Sequence, residues 1–188
     1  MWLWLLACTP PPSCACDAVE VPAGADVQGV LDAIRPTLFP DLDGVSIAVQ
    51  TLEVTFFQTT VALATFEDPP RDRRYLVQVD PAVLADPPSQ AAMVAVLAHE
   101  LGHAQDFVGM SSNELADFAI WYANEDVADY EHATDEKALT RGCAAGLAEF
   151  REWVYSHTDG DVEAEKRRLY YDPAAIAAWA EANTCDAP

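Results

Sequence analysis

Hydrophobic positions recur along this chain with two different periods, and the change of period divides it. Between Asp26 and Ile34, residues Val27, Val30, Leu31 and Ile34 fall at helical spacing and predict a first amphipathic helix closed by Pro36. From Val45 the period drops to two. Val45 to Gln50 alternates, Val54 to Phe57 and Val61 to Thr65 are rich in β-formers, and Tyr75 to Val79 alternates again before Asp80-Pro81. Three or four strands of a largely antiparallel sheet are expected.

Beyond Pro87-Pro88 the helical period returns. Ser89 is placed as an N-cap, and the run Met93 to Phe107 is apolar on most sides, as in a helix buried through the middle of a domain. Gly109 stops it. Helices over Glu114 to Ala123, Asp126 to Arg141, Leu147 to Tyr155 and, opened by Asp172-Pro173, Ala174 to Glu181 follow from the same spacing and from their caps. The expected class is α+β: a small, mostly antiparallel sheet packed on the central helix, then a helical C-terminal half. The loop Glu67 to Arg74, with Arg71, Arg73 and Arg74, reads as solvated rather than as a grip for a carboxylate.

Size and charge narrow the class further. A chain of 188 residues suffices for one domain with a core and is short for two, so residues 25–188 read as a single domain. Ten basic residues against thirty-one acidic ones give a net charge of -21, a field that repels nucleic acid and anionic lipid and argues against both as ligands. No stretch of the body approaches the roughly 18 apolar residues of a membrane span.

The first residues carry a different signal. Residues 1–8 form a short apolar run, and Leu5-Leu6-Ala7-Cys8 resembles the lipobox of bacterial lipoproteins, in which the cysteine is lipidated and becomes the mature N-terminus. The run has no Lys or Arg ahead of it and is shorter than the roughly 7–15 residues of an ordinary signal core. The resemblance implies an extracytoplasmic protein, periplasmic or at the cell surface, whose membrane contact is a lipid on Cys8. Residues 9–24, opening Thr9-Pro10-Pro11-Pro12, would be a stiff tether. Setting Cys8 aside leaves Cys14, Cys16, Cys143 and Cys185, an even number. Cys14 and Cys16 are too close to pair without strain, which favours bridges from the tether to Cys143 and Cys185 in an order the sequence leaves open.

The candidate chemistry lies on the central helix, in His99-Glu100-Leu101-Gly102-His103. Histidines four apart stack on one face of a helix and can bind one Zn²⁺, while Glu100 projects at a neighbouring angle and can take a proton from water at an open coordination position. Two histidines and a glutamate on a buried helix need a partner, and a metal is the natural one. This is the HExxH arrangement of zinc peptidases.

A catalytic zinc takes three protein ligands, so one more is needed. Position 106 is Asp and position 109 is Gly, which excludes the metzincin continuation. Glu131 and Asp135 are spaced i,i+4 on a later helix, one placed to ligate and the other to accept the N–H of a ligating histidine. Asp135 itself, His132, Glu125 and Asp126 are the alternatives for the third ligand. HELGH followed by ExxxD resembles the gluzincin group of zinc metallopeptidases over about the middle third of the chain. That resemblance implies His99, His103 and Glu131 as metal ligands, Glu100 as general base, and a peptide or protein as substrate. Tyr75 to Val79 is the strand expected to pair with an extended peptide, and His157, Tyr122 and Tyr130 are the possible transition-state donors. The rival reading is a non-catalytic surface lipoprotein that keeps a zincin-like fold as a binding or structural module.

Overall fold

The computed structural model describes residues 15–183. The expected lipid site at Cys8, residues 9–14 of the tether, among them Cys14, and Cys185 lie outside those residues. The fold is α+β, with one small sheet and a predominantly helical remainder. The first helix, α1 (Val27–Leu38), is capped by the Asp26 side chain and buries Val27, Val30, Leu31, Ile34 and Leu38. It runs past Pro36, where the sequence places its end. A proline in the last turn removes one backbone donor, and the turn still closes because the Phe39 N–H reaches the Arg35 carbonyl.

Three strands follow: β1 (Ser46–Thr51), β2 (Phe57–Val61) and β3 (Arg74–Val79). The order is β1-β3-β2, with β3 parallel to β1 and antiparallel to β2, so the sheet is mixed rather than largely antiparallel. Alternation fixes which face of a strand is buried but says nothing about its neighbours. Tyr75, Val77 and Val79 are fully buried on the inner face, and their partners there are Ile47, Val49 and Thr51 on one side and Val61, Thr59 and Phe57 on the other. Because β3 is central, Tyr75 to Val79 has no free edge, and the expected peptide-pairing role cannot be its own.

A short helix α2 (Pro81–Ala85) leads to the central helix α3 (Gln90–Val108). Ser89 caps α3 through the Ala92 N–H, Gly109 closes it, and every residue from Ala92 to Ala104 is buried. Around it pack α1, β2, α5 (Ala128–Leu139) and α6 (Ala144–Ser156). The approach of α6 depends on Gly146, where a methyl group would collide with the Ala91 carbonyl. Two further helices, α7 (Gly160–Leu169) and α8 (Pro173–Ala182), complete the helical half, α8 capped by Asp172. The remaining helix, α4 (Ser112–Asn124), starts at a capping box made by Ser111 and Glu114 and buries Leu115 alone. The sequence shows α4, α5, α6 and α8 within a few residues of their ends and misses α7, whose run Glu163 to Arg168 is too polar to display a buried stripe.

Two local features depart from expectation or complete it. Arg73 is buried rather than solvated, donating to the carbonyls of Asp68 and Met110 and to the Ser112 hydroxyl at 2.8–3.0 Å. Three acceptors satisfy the guanidinium, so it pins the loop before β3 to the α3–α4 turn. Cys16 forms a disulfide with Cys143, which fixes the start of the described chain to the α5–α6 junction.

Candidate metal centre

The residues that could hold a cation come from two helices in close contact. His99, Glu100 and His103 lie on α3, and Glu131 and Asp135 on α5. At the crossing stands Gly102, where a Cβ would sit 3.1 Å from the Thr134 methyl and 3.2 Å from the Lys137 stem. The missing side chain lets α5 come near enough for its carboxylates to reach the imidazoles. Lys137 ties the same crossing, donating to the Gly102 carbonyl at 3.1 Å and pairing with Asp106.

Three atoms converge there. His99 Nε2 and His103 Nε2 are 3.1 Å apart, and Glu131 Oε2 lies 3.3 Å from the first and 3.4 Å from the second. All three residues are buried, Glu131 completely. Among the described residues Glu131 Oε2 has no hydrogen-bond partner, although it is sealed from water. Its contacts with the imidazoles are close enough for charge attraction and poorly aligned for hydrogen bonds. A tetrahedral site with metal–ligand distances of roughly 2.0–2.1 Å separates its donor atoms by about 3.3 Å. The orphaned oxygen, the donor spacing and the His/His/Glu chemistry all fit a single metal ion.

The surrounding hydrogen bonds orient these donors. Asp135 Oδ1 lies 2.8 Å from His99 Nδ1, and a carboxylate can only accept, so that nitrogen carries the hydrogen and Nε2 of the neutral ring keeps its lone pair for the centre. Asp135 does not share the point where the other three meet; it acts on His99 from behind. Arg151 Nη2 holds the same Oδ1 at 2.7 Å, and the Tyr171 N–H holds Oδ2 at 3.1 Å. On His103 the corresponding partner of Nδ1 is the Tyr130 hydroxyl at 2.9 Å. Glu131 Oε1 accepts from the Tyr122 hydroxyl at 2.5 Å, which leaves Oε2 as its inward atom. Burial, reinforced by the Glu131 charge, pushes the Tyr122 phenol far above the usual tyrosine range, so it remains a donor.

Without a cation, His99 is the group that holds the proton. Burial alone would lower the pKa of His99, but Asp135 and Glu131 outweigh it and raise the imidazole from 6.5 to about 9. Burial likewise pushes Glu131 up, and the two histidines then pull it well below the carboxylate range. The His99 contribution to the stability of the metal-free protein is therefore complete below pH 6.5 and is lost as the pH rises through about 9. A metal needs the neutral ring, so the proton must leave as the ion enters. Zinc binding at pH 7.5 is expected to release about one proton from His99, read by titration calorimetry in buffers of different ionisation enthalpy. Zinc uptake with no buffer dependence would contradict this charge state.

Glu100 faces outward from the same turn into a cleft of about 580 Å³, which it lines together with His103 and Glu131. The Thr59 hydroxyl lies 2.7 Å from Glu100 Oε2 and 3.1 Å from its backbone carbonyl. Among the described residues no donor holds Oε1, which leaves that oxygen available. One wall of the cleft is β2 and the opposite wall is α4, through Leu115, Phe118 and Tyr122. Gln58 and Thr60 face β3 in hydrogen-bonded positions, as the Ala62 N–H to Arg74 carbonyl bond at 2.9 Å shows by register. The alternate residues Thr59 and Val61 thus direct their backbone N–H and C=O groups to the free edge.

The other sequence candidates are not gathered here. His132 stacks on Tyr171, Glu125 and Asp126 are exposed beside α5, and His157 is a surface residue bonded to Asp86 and Trp153. Thr59 and Arg151 are absent from the sequence reading. Thr59 carries a faint signal, being the hydroxyl of an otherwise apolar inward set on β2; Arg151 carries none, since an arginine on a helix is ordinarily solvated. Comparison of the chain with protein-family models, curated proteins and solved structures finds no match, so the chemistry of the centre rests on its own geometry.

Proposed function

We propose that this protein is an exported zinc peptidase of gluzincin type, in which His99, His103 and Glu131 hold one Zn²⁺ and Glu100 is the general base. The observation that carries the reading is the convergence of two imidazole nitrogens and an orphaned carboxylate oxygen within 3.1–3.4 Å, next to a glutamate with one free oxygen, on the floor of an open cleft. When bound, the ion supplies Lewis acidity, bringing the pKa of water towards roughly 7 and polarising a carbonyl.

The chain's own residues do the rest. Glu100 Oε1 takes the proton of the attacking water and delivers it to the leaving amine, while Thr59 fixes the carboxylate through Oε2. Asp135 keeps His99 in the tautomer a ligand requires. An extended peptide adds to the free edge of β2, meeting the backbone groups of Thr59 and Val61 directly above Glu100, and its side chains enter the apolar wall formed with α4. Export is supported by the Cys16–Cys143 disulfide, which belongs to an oxidising compartment, and a lipid on Cys8 would supply the anchor.

A fluorogenic peptide library tests the proposal against the non-catalytic rival. Cleavage that needs one equivalent of zinc, stops with chelator and returns on adding the metal is the expected outcome. A protein that takes up no zinc, or takes it up and cleaves nothing, refutes the activity.

A further inference from the structure

The wall of the cleft carries a cation without a counter-ion. Lys166, on α7, is half-buried and lines both the main cleft and a small cavity of about 20 Å³ beside His99 and Glu100. Among the described residues its ammonium has no hydrogen-bond or ion-pair partner and only faces the Tyr170 ring, 5.4 Å from the centroid. Its setting makes this notable. Acidic residues outnumber basic ones three to one in this chain, and nearby cations do find carboxylates: Arg151 has Asp135, Arg167 has Glu163 and Arg168 has Asp126. A partly desolvated ammonium is stabilised by an anion, and none of the described side chains supplies one at bonding distance.

The neighbours of Lys166 indicate what it awaits. Burial, together with the charge of Arg151, pushes the ammonium below its ordinary lysine range, a bias that an arriving anion would reverse. Arg151 also lines the small cavity, its guanidinium 4.3 Å from the centre of the Tyr170 ring, and among the described residues its buried Nε is unpartnered. The other charged residues lining the main cleft are Glu100 and Glu131. With His99 giving up its proton, a dication held by Glu131 and the histidines turns the floor from about neutral to net positive. In a chain of net charge -21, a positive floor inside a negative surface selects anions that reach it while the exterior repels them.

We propose that Lys166 anchors a carboxylate of the substrate, so that the cleft takes peptides bearing a free carboxylate near the bond to be cut. Either a C-terminal carboxylate or an acidic side chain supplies that group. The inference rests on the reading of the cleft as a peptide site, and makes Lys166 a specificity-determining residue.

The test is binding, measured by titration calorimetry on the full-length, zinc-loaded Glu100→Gln protein, which lacks the base and leaves the ligand intact. Three probes are compared: a hydrophobic tetrapeptide as its C-terminal amide, the same peptide as free acid, and the amide with one internal glutamate. At least one carboxylate-bearing probe is expected to bind about tenfold more tightly than the neutral amide, and which one does so identifies the source of the carboxylate. Adding Lys166→Met or Lys166→Gln should bring that ratio near one, and Lys166→Arg should keep part of it. Equal affinity for the three probes, or a preference that survives in both neutral variants, overturns the proposal. So does a Lys166→Met enzyme, with Glu100 intact, whose kcat falls equally on all three while KM is unchanged, because the ammonium would then serve the reacting oxygen. Since binding is read without the base, a wild type that cleaves nothing would refute hydrolysis and leave this result standing.

Discussion

Glu100→Gln is expected to bind zinc as the wild type does and to cleave peptides about 10²–10⁴-fold more slowly. The substitution keeps the shape of the side chain, so the Thr59 hydroxyl still finds an oxygen near the position of Oε2. An amide cannot accept and return a proton, and that is the whole of the change. Metal content and initial rates on the same preparation check both halves. Wild-type turnover in the variant would remove Glu100 from the reaction. Loss of zinc would show instead that the carboxylate belongs to the ion's environment, and the rate would then say nothing about a base.

Asp135→Ala is the second large effect, and it acts on stability as well as on the metal. Asp135 is completely buried and accepts from His99, Arg151 and the Tyr171 N–H. Removing it strands Arg151, only 4% exposed, without a counter-ion. Breaking a buried pair from one side costs about 3–5 kcal/mol, and a protein of this size should lose on the order of 10 °C in Tm. Zinc affinity should fall roughly 10–100-fold, because His99 loses the acceptor that fixes its tautomer. The double variant Asp135→Ala with Arg151→Met separates the two roles. It should recover much of the thermal stability and none of the zinc affinity. A single variant with unchanged Tm and unchanged zinc binding would mean that Asp135 holds neither partner.

These effects trace to different kinds of information in the chain. Pairing of His99 with His103, and of Glu131 with Asp135, follows from helical spacing, because backbone hydrogen bonds within one helix fix where residues four apart must point. The caps at Ser89 and Asp172 are legible for the same reason, each being a contact within three residues. Which strand edge lies open was not legible. Tyr75 to Val79 alternates cleanly and is the strand flanked on both sides, whereas the strand left open over Glu100, Phe57–Val61, lies between the two runs the sequence marks as β-rich, Val54 to Phe57 and Val61 to Thr65.

What the sequence determined by itself is the existence of a buried helix bearing two histidines and a glutamate, an α+β class, and an acidic surface around it. The tertiary structure alone decided that α5 approaches α3 across Gly102 closely enough for Glu131 to complete the triangle while Asp135 stands behind His99. It also decided that Thr59 of β2 and Lys166 of α7 line the cleft while Arg151 of α6 holds Asp135 behind His99. Local hydrogen bonding sets the direction of a side chain along its own helix. Which distant element it meets depends on how the whole set of apolar faces packs, and that choice leaves no periodic mark on any one stretch of chain.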